Sequence, residues 1–328
     1  MKTLKECILK SKENYGKNIF IKSTIKNYTY DEVIEKVFKW SGYLTKIGIE
    51  KGDRVGIITP KSIEQLKSIY AIWMAEGIIV PINENSREAE LKFILRDSTP
   101  KIILTISSLE EKIRRNYPKA KIVLLEELEE LSKGSSYKEG MDVDLEDIGA
   151  LIYTSGSTGN PKGVILTHRN LVNNGKSIVD TKKLTIDDCL YSILPYWHSF
   201  SLTVEVVGAI NSGLSLGFTK NTRSFVKDIP LFKPTMLLVV PRILEIIKEN
   251  IERKIKNNGI ETIEAYEKLL QVAPFVKGDR HNFIPNEKYK NIYDILDEKL
   301  LRKIKSIFGE NFKEFISGGA PLDINLQR

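Results

Sequence analysis

Cysteine is scarce: only Cys7 and Cys189 occur in 328 residues. They lie far apart and show no Cys-x-x-Cys spacing, which argues against a disulfide framework or a zinc site and fits a reducing cytoplasm. The three histidines, His168, His198 and His281, are too scattered to form a metal cluster. No apolar run approaches the roughly 20 residues that span a bilayer; the best candidate, Ala71 to Ile82, is interrupted by Glu76. Met1 to Lys17 is studded with Lys and Glu and lacks the apolar centre of a signal peptide. Two nucleotide-binding fingerprints are also missing. No Gly-x-x-x-x-Gly-Lys-Ser/Thr loop occurs, since Gly175-Lys176-Ser177 has Asn170 where the first glycine belongs, and there is no Gly-x-Gly-x-x-Gly.

What is present suits a large globular α/β body. Hydrophobic residues make up 41% of the chain and charged ones 28%, too apolar and too mixed in sign for a disordered protein. Fifty Lys and Arg against 43 Asp and Glu give a net charge of +7. Many lysines fall in helical stretches with Glu nearby, at Lys248 to Lys256 and Lys299 to Lys305. These read as solvated helix faces rather than a nucleic-acid surface, although a mild positive field suits an anionic nucleotide.

Short apolar runs alternate with longer amphipathic ones. Strands are expected at Arg54–Ile58, Gly77–Ile82, Lys101–Ile106, Lys121–Leu125, Ala150–Thr154, Leu190–Leu194, Ser215–Phe218, Thr235–Val240 and Phe312–Ser317. Several are unbroken Ile/Val/Leu runs, as strands covered on both faces are. Helices are expected at Asp31–Ile47, Ser62–Ala75, Arg87–Asp97, His168–Lys182, Phe200–Asn211 and Arg242–Asn257. The alternation predicts an α/β fold of two stacked, doubly wound, mostly parallel sheets with flanking helices. Glu126–Asp147 is acidic and weakly periodic and reads as a connector, which places one α/β subdomain at 1–147 and a second at 148–328. Ala273–Lys288, with Pro274, Gly278 and Pro285, reads as an irregular excursion.

The strongest chemical signal is Tyr153-Thr154-Ser155-Gly156-Ser157-Thr158-Gly159-Asn160-Pro161-Lys162-Gly163. It follows an apolar strand. A short strand at Val164 to Leu166 and a helix from His168, N-capped by Thr167, are expected after it. Glycines let backbone approach a ligand closely, successive N–H groups make an anion cradle, and Lys162 can place a compact charge on terminal phosphates. His168, at the start of its helix, is expected to be exposed.

This string resembles the phosphate-loop signature of the adenylate-forming superfamily, which includes acyl-CoA synthetases, luciferases and peptide-synthetase adenylation domains. Two later segments resemble further family elements in the expected order. Pro195-Tyr196-Trp197-His198-Ser199-Phe200 resembles Pro-x-x-His-x-Phe, although Tyr196 and Trp197 replace the usual small or aliphatic residues. Ser317-Gly318-Gly319-Ala320-Pro321-Leu322 resembles the segment whose backbone packs along adenine. Val240-Pro241-Arg242 opening a basic helix, a long insertion before the Gly-Gly-Ala-Pro element, and Glu205, expected to face the next helix, lean toward the long-chain fatty acyl-CoA synthetase branch.

The resemblance implies that ATP and a carboxylic acid form an acyl-adenylate, with Mg²⁺ assisting, and that CoA then displaces AMP. It implies that Thr154 is the hydroxyl on the metal side. Ser155, Gly156, Ser157, Thr158, Gly159 and Lys162 would hold phosphates, His198 would lie beside the acyl group, and Gly318, Gly319, Ala320 and Pro321 would flank adenine. The family's Tyr-Gly-x-Thr-Glu and Thr-Gly-Asp segments, hinge and mobile C-terminal domain with its catalytic Lys are not in the sequence. The chain is therefore expected to be the N-terminal portion of such a ligase and inactive alone. The expected partners are small molecules and not nucleic acid; peripheral contact with a membrane and homo-oligomerisation stay open. The competing readings are a non-catalytic nucleotide-binding module and an amino-acid or aryl-acid adenylation domain.

Overall fold

The computed structural model describes residues 2–138, 140, 142–154, 160–219, 225–257, 260–272, 286–296 and 307–323. The fold is α/β, with two mixed, mainly parallel sheets and flanking helices. The chain divides into two compact units, Met1–Asp188 with Ser192–Lys220, and Cys189–Tyr191 with Asn221–Arg328.

The first unit begins with α1 (Leu4–Tyr15), β1 (Ile19–Ser23), β2 (Tyr28–Thr29) and α2 (Tyr30–Lys46). Both helices start on a capping box: Thr3 with Glu6, and Thr29 with Glu32. Each box satisfies N–H groups that the first helical turn leaves unpaired. The central elements follow as β3 (Arg54–Ile58), α3 (Ile63–Met74), β4 (Ile78–Ile82), α4 (Glu88–Ser98), β5 (Ile102–Thr105), α5 (Ser107–Asn116), β6 (Ile122–Leu124), α6 (Leu125–Leu131), β7 (Ile148–Thr154), β8 (Lys162–Thr167) and α7 (His168–Lys182). Their strands form one sheet in the order β6-β5-β3-β4-β7-β8, parallel throughout except for the antiparallel β7–β8 pair.

Alternation along the strands explains the unbroken apolar runs. Ile58, Val80, Ile82 and Ile103 pack with Leu91, Ile94, Leu95 and Ile113 of α4 and α5. On α3, Trp73 is fully buried and its indole N–H donates to the Gly149 carbonyl of β7 at 2.9 Å. With period-two side chains covered on either face, polar residues are confined to strand ends such as Arg54, Thr105 and Thr154. The acidic stretch expected to be a connector instead begins as helix α6, because Leu125 and Leu128 face inward and the glutamates face water.

The same unit also holds α8 (Ser199–Ser201), a π-helix at Leu202–Val207, α9 (Gly208–Ser212) and β10 (Ser215–Phe218). Strand β1 lies between β10, parallel, and β2, antiparallel. Gly175, whose Gly-Lys-Ser context fails as a phosphate loop, has a packing role. A Cβ there would lie 2.5 Å from Val207 Cγ1, so a glycine lets α7 approach the π-helix.

In the second unit β11 (Met236–Val239) runs parallel to both β9 (Cys189–Tyr191) and β12 (Glu314–Ser317). Its helices are α10 (Phe225–Phe232), α11 (Pro241–Asn257), α12 (Ile260–Val272) and α13 (Glu287–Leu296). Leu269, Val272, Tyr293 and Leu296 join α12 to α13. Most of the expected excursion, and the lysines from Lys299 to Lys305, lie outside the described residues. Cys7 and Cys189 are buried and form no disulfide among the described residues. Among the described residues no helix is long and apolar enough to cross a membrane.

Candidate functional site

The expected phosphate loop joins β7 to β8. In the register of that hairpin Thr154 faces Lys162, so the two ends of the loop are fixed as a strand pair. Residues Ser155, Gly156, Ser157, Thr158 and Gly159 lie outside the described residues. Below the loop, Tyr153 faces Gly163. The Tyr153 hydroxyl donates to Asp97 Oδ2 at 2.5 Å, and burial followed by that carboxylate pushes the phenol up, so it remains a neutral donor. A Cβ on Gly163 would come within 3.3 Å of the Tyr153 ring, which gives this glycine a local reason. Thr154 and Lys162 are exposed, and Lys162 has no ion-pair partner among the described residues. An unpaired ammonium beside a hydroxyl at the mouth of a hairpin is available to an anion.

Thr167 caps α7 as expected, accepting from Asn170 N while the Asn170 side chain returns to Thr167 N at 3.0 Å. His168, by contrast, is not exposed: it is 2% accessible. Its backbone N–H donates to Asp147 O at 3.0 Å, and its Nδ1 accepts from Leu4 N at 3.2 Å, supplying a partner to the first turn of α1. Burial pushes the imidazole down to about 4. An unfolded chain therefore binds a proton at pH 6.5 that the folded chain refuses until about 4. The associated stability is present above 6.5 and is lost as pH falls toward 4, by about 3 kcal/mol. His168→Asn, which keeps an acceptor for Leu4, should remove that part of the acid limb in urea melts across this window; an unchanged limb would contradict it.

His198 stands at the start of α8, exposed on its loop, with its ring 3.9 Å from that of Trp197. Partial burial lowers its pKa below the ordinary value, which favours the neutral ring at pH 7. No hydrogen bond or ion pair joins His198 to Thr154 or Lys162 among the described residues. The hairpin pair is thus brought together, while His198 is carried on a separate segment. Gly318, Gly319, Ala320 and Pro321 follow β12 in the second unit. Gly318 N donates to Val239 O at 3.1 Å, Gly319 has φ +81°, and Gly319 to Pro321 are exposed, leaving open backbone there. Arg242 is exposed and paired with Glu245 at 2.7 Å.

Beneath the His198 loop lies a charge pair that the sequence reading did not assemble. Glu205, expected to face the next helix, is fully buried in the π-helix and accepts from Lys61 Nζ at 2.6 Å. Lys61 follows β3, and its side chain is 6% exposed. The same ammonium donates to Leu194 O and sits 4.1 Å from the Tyr196 ring centroid. Ser192 Oγ donates to Glu205 Oε2 and lies 2.9 Å from the Tyr196 hydroxyl. Burial pushes Lys61 down to about 8 against the pull of Glu205, and pushes Glu205 up against the pull of Lys61. A lysine just beyond the carboxyl end of a buried parallel strand was the available signal, since ligand crevices open there.

The family described as AMP-binding enzyme matches residues 9–328. Long chain acyl-CoA synthetase 3 of Arabidopsis thaliana is 26% identical over 341 residues, covering 91% of this chain and 49% of that protein. Long-chain-fatty-acid–CoA ligase 1 of Schizosaccharomyces pombe is 28% identical over 338 residues, covering 92% and 48%. The chain spans about half the length of the curated relatives it matches. Among solved structures, the long-chain-fatty-acid–CoA ligase FadD1 of Archaeoglobus fulgidus superposes with a TM-score of 0.70 at 26% identity, over 76% of this chain and 54% of that one. ATP-bound MatB of Rhodopseudomonas palustris superposes with a TM-score of 0.70 at 23% identity, over 98% and 56%, a likeness of fold.

Proposed function

The chain belongs to the AMP-binding enzyme family, and on that premise we propose that it supplies the ATP- and acyl-binding part of an acid–thiol ligase acting on a fatty acid. In the proposed first step a carboxylate oxygen attacks the α-phosphorus of ATP, the bond to the β-phosphate oxygen breaks, and pyrophosphate leaves. In the second the CoA thiol loses its proton, sulfur attacks the acyl carbon, and AMP leaves. No protein nucleophile is needed, so the work of the chain is positioning and charge stabilisation.

The observation that carries this reading is the β7–β8 hairpin, whose register sets exposed Thr154 opposite exposed Lys162, which has no ion-pair partner among the described residues, at the two ends of the family's loop sequence. Lys162 would offset charge on the β- and γ-phosphates, and Ser155 to Gly159 would supply loop donors between the two strand ends. His198 would lie on the acyl side, its neutral ring able to donate toward a carboxylate oxygen, and Gly318 to Pro321 would offer open backbone to a flat base.

Mg²⁺ fits only in part. Among the described residues no group of three or more His, Cys, Asp or Glu could hold a metal. Thr154 would be the hydroxyl to join an ion carried mainly by phosphates and water, as Mg²⁺ commonly is. Such an ion would neutralise charge building on the leaving pyrophosphate.

The test uses this chain joined to the C-terminal length that its relatives have. Pyrophosphate release is measured with ATP, CoA and a panel of medium- and long-chain fatty acids, an aryl acid and aspartate. Release with fatty acids is expected. Release with the amino acid or aryl acid alone would overturn the fatty-acid assignment, and none with any acid would overturn ligase activity.

A further inference from the structure

We propose that Lys61 and Glu205 are positioning residues for acyl activation: a buried charge pair that fixes the Ser192–Ser201 loop and thereby the place of His198. This rests on the reading of His198 as an acyl-side group. Three observations carry it.

First, the pair ties both ends of the loop. Lys61 Nζ holds the Leu194 carbonyl at the loop's start. Glu205 follows the loop by one turn and takes Ser192 Oγ across it. Ser201 Oγ closes the other side onto Pro195 O, and Leu202 N donates to His198 O at 3.1 Å. An ammonium has three donors, and each has a direction here: a carboxylate, a carbonyl and the face of Tyr196. No apolar side chain could make the contact with Leu194 O.

Second, the pair is not the cheapest way to fill the space. Taking both charges out of water costs several kcal/mol per ion, and well-packed apolar residues are often as stable or more so. Glu205 Oε1 is buried and has no hydrogen-bond partner among the described residues, so the carboxylate is not fully satisfied there. A costly, incompletely satisfied pair beneath an exposed histidine loop is better explained by geometry than by stability.

Third, Glu205 reaches inward from a π-helix, all six residues of which are buried. The widened turn is an uncommon device that recurs at functional sites, and it starts four residues after His198.

The test compares wild type, the double variant Lys61→Met with Glu205→Gln, and Lys61→Arg, each in the polypeptide joined to the C-terminal length. The double variant leaves no uncompensated buried charge. Lys61→Arg keeps the charge but replaces a compact three-way donor with a planar fork, and guards against a double variant that does not fold. Two readouts are taken: kcat and KM for acid-dependent pyrophosphate release, and the ring titration of His198 by NMR, assigned with His198→Gln among only three histidines.

The expected result is a kcat lower by roughly 10- to 100-fold, as for a displacement of about 1 Å at a reacting centre, with the KM for ATP unchanged. The His198 titration should move up toward its ordinary value as the loop loosens. Folded variants with wild-type kcat and wild-type titration would overturn the proposal. A wild type that releases no pyrophosphate with any acid would instead overturn the functional reading, while the titration would still decide whether the pair holds the loop.

Discussion

Lys162→Ala should lower acid-dependent pyrophosphate release by roughly 10²- to 10³-fold, the scale seen when one preorganised charge-stabilising group is removed from a reacting centre. The side chain is exposed and without an ion-pair partner among the described residues, so its loss disturbs no packing. The melting curve should therefore match wild type, since surface changes away from special features stay within about 0.5 kcal/mol. Lys162→Arg should recover part of the rate, because the charge remains while its geometry changes. If the alanine variant keeps wild-type kcat and binds Mg-ATP equally in calorimetry, Lys162 is not on the phosphates. The loop would then need another cation.

Lys61→Met alone should destabilise the chain by about 3–5 kcal/mol, the cost of leaving a buried carboxylate without its partner. Glu205 has 0% side-chain exposure and cannot turn to water. Among the described residues its remaining hydrogen bond is from Ser192, and Oε1 already lacks a partner. Adding Glu205→Gln should restore most of the loss, since a neutral amide carries no such penalty. The two substitutions should be strongly non-additive, as residues in one network are. Urea midpoints for the four proteins of this cycle measure the coupling; additive effects would show that the ion pair carries no interaction energy.

Much of the first unit could be read from sequence because its central strands are covered on both faces. In β5 the apolar run Ile102–Leu104 is wholly buried and only Thr105 at its end is polar, so little confuses it with a helix or loop, and β3, β4 and β5 lie within a residue of expectation. Elements at the margin were missed for local reasons. In α1, Lys and Glu dominate and suppress the apolar signal, although Thr3 and Glu6 already spelled a capping box. Strand β1 is five residues long and β2 two, too short for periodicity to register. His168 departs from the expectation of exposure because a polar residue at a helix start is usually wet, whereas here residues distant in sequence, Leu4 of α1 among them, pack against it.

The candidate site divides in the same way. Thr154, Lys162 and the loop between them are contiguous, so their chemistry is written in one string. Lys61 and Glu205 are 144 positions apart. Neither residue type is informative alone, and only the fold places the end of β3 against the π-helix. The orientation of Gly175 toward Val207 likewise depends on a helix contact that no motif encodes.

The most direct measurement is isotope exchange between labelled pyrophosphate and ATP, without CoA, in this chain joined to the length its relatives carry. The account predicts exchange only when a carboxylic acid is present, strongest with a fatty acid, and its loss in Lys162→Ala. Exchange that ignores the acid, or cleavage of ATP to ADP and phosphate with no exchange, would contradict adenylate formation and with it the role assigned to the β7–β8 hairpin.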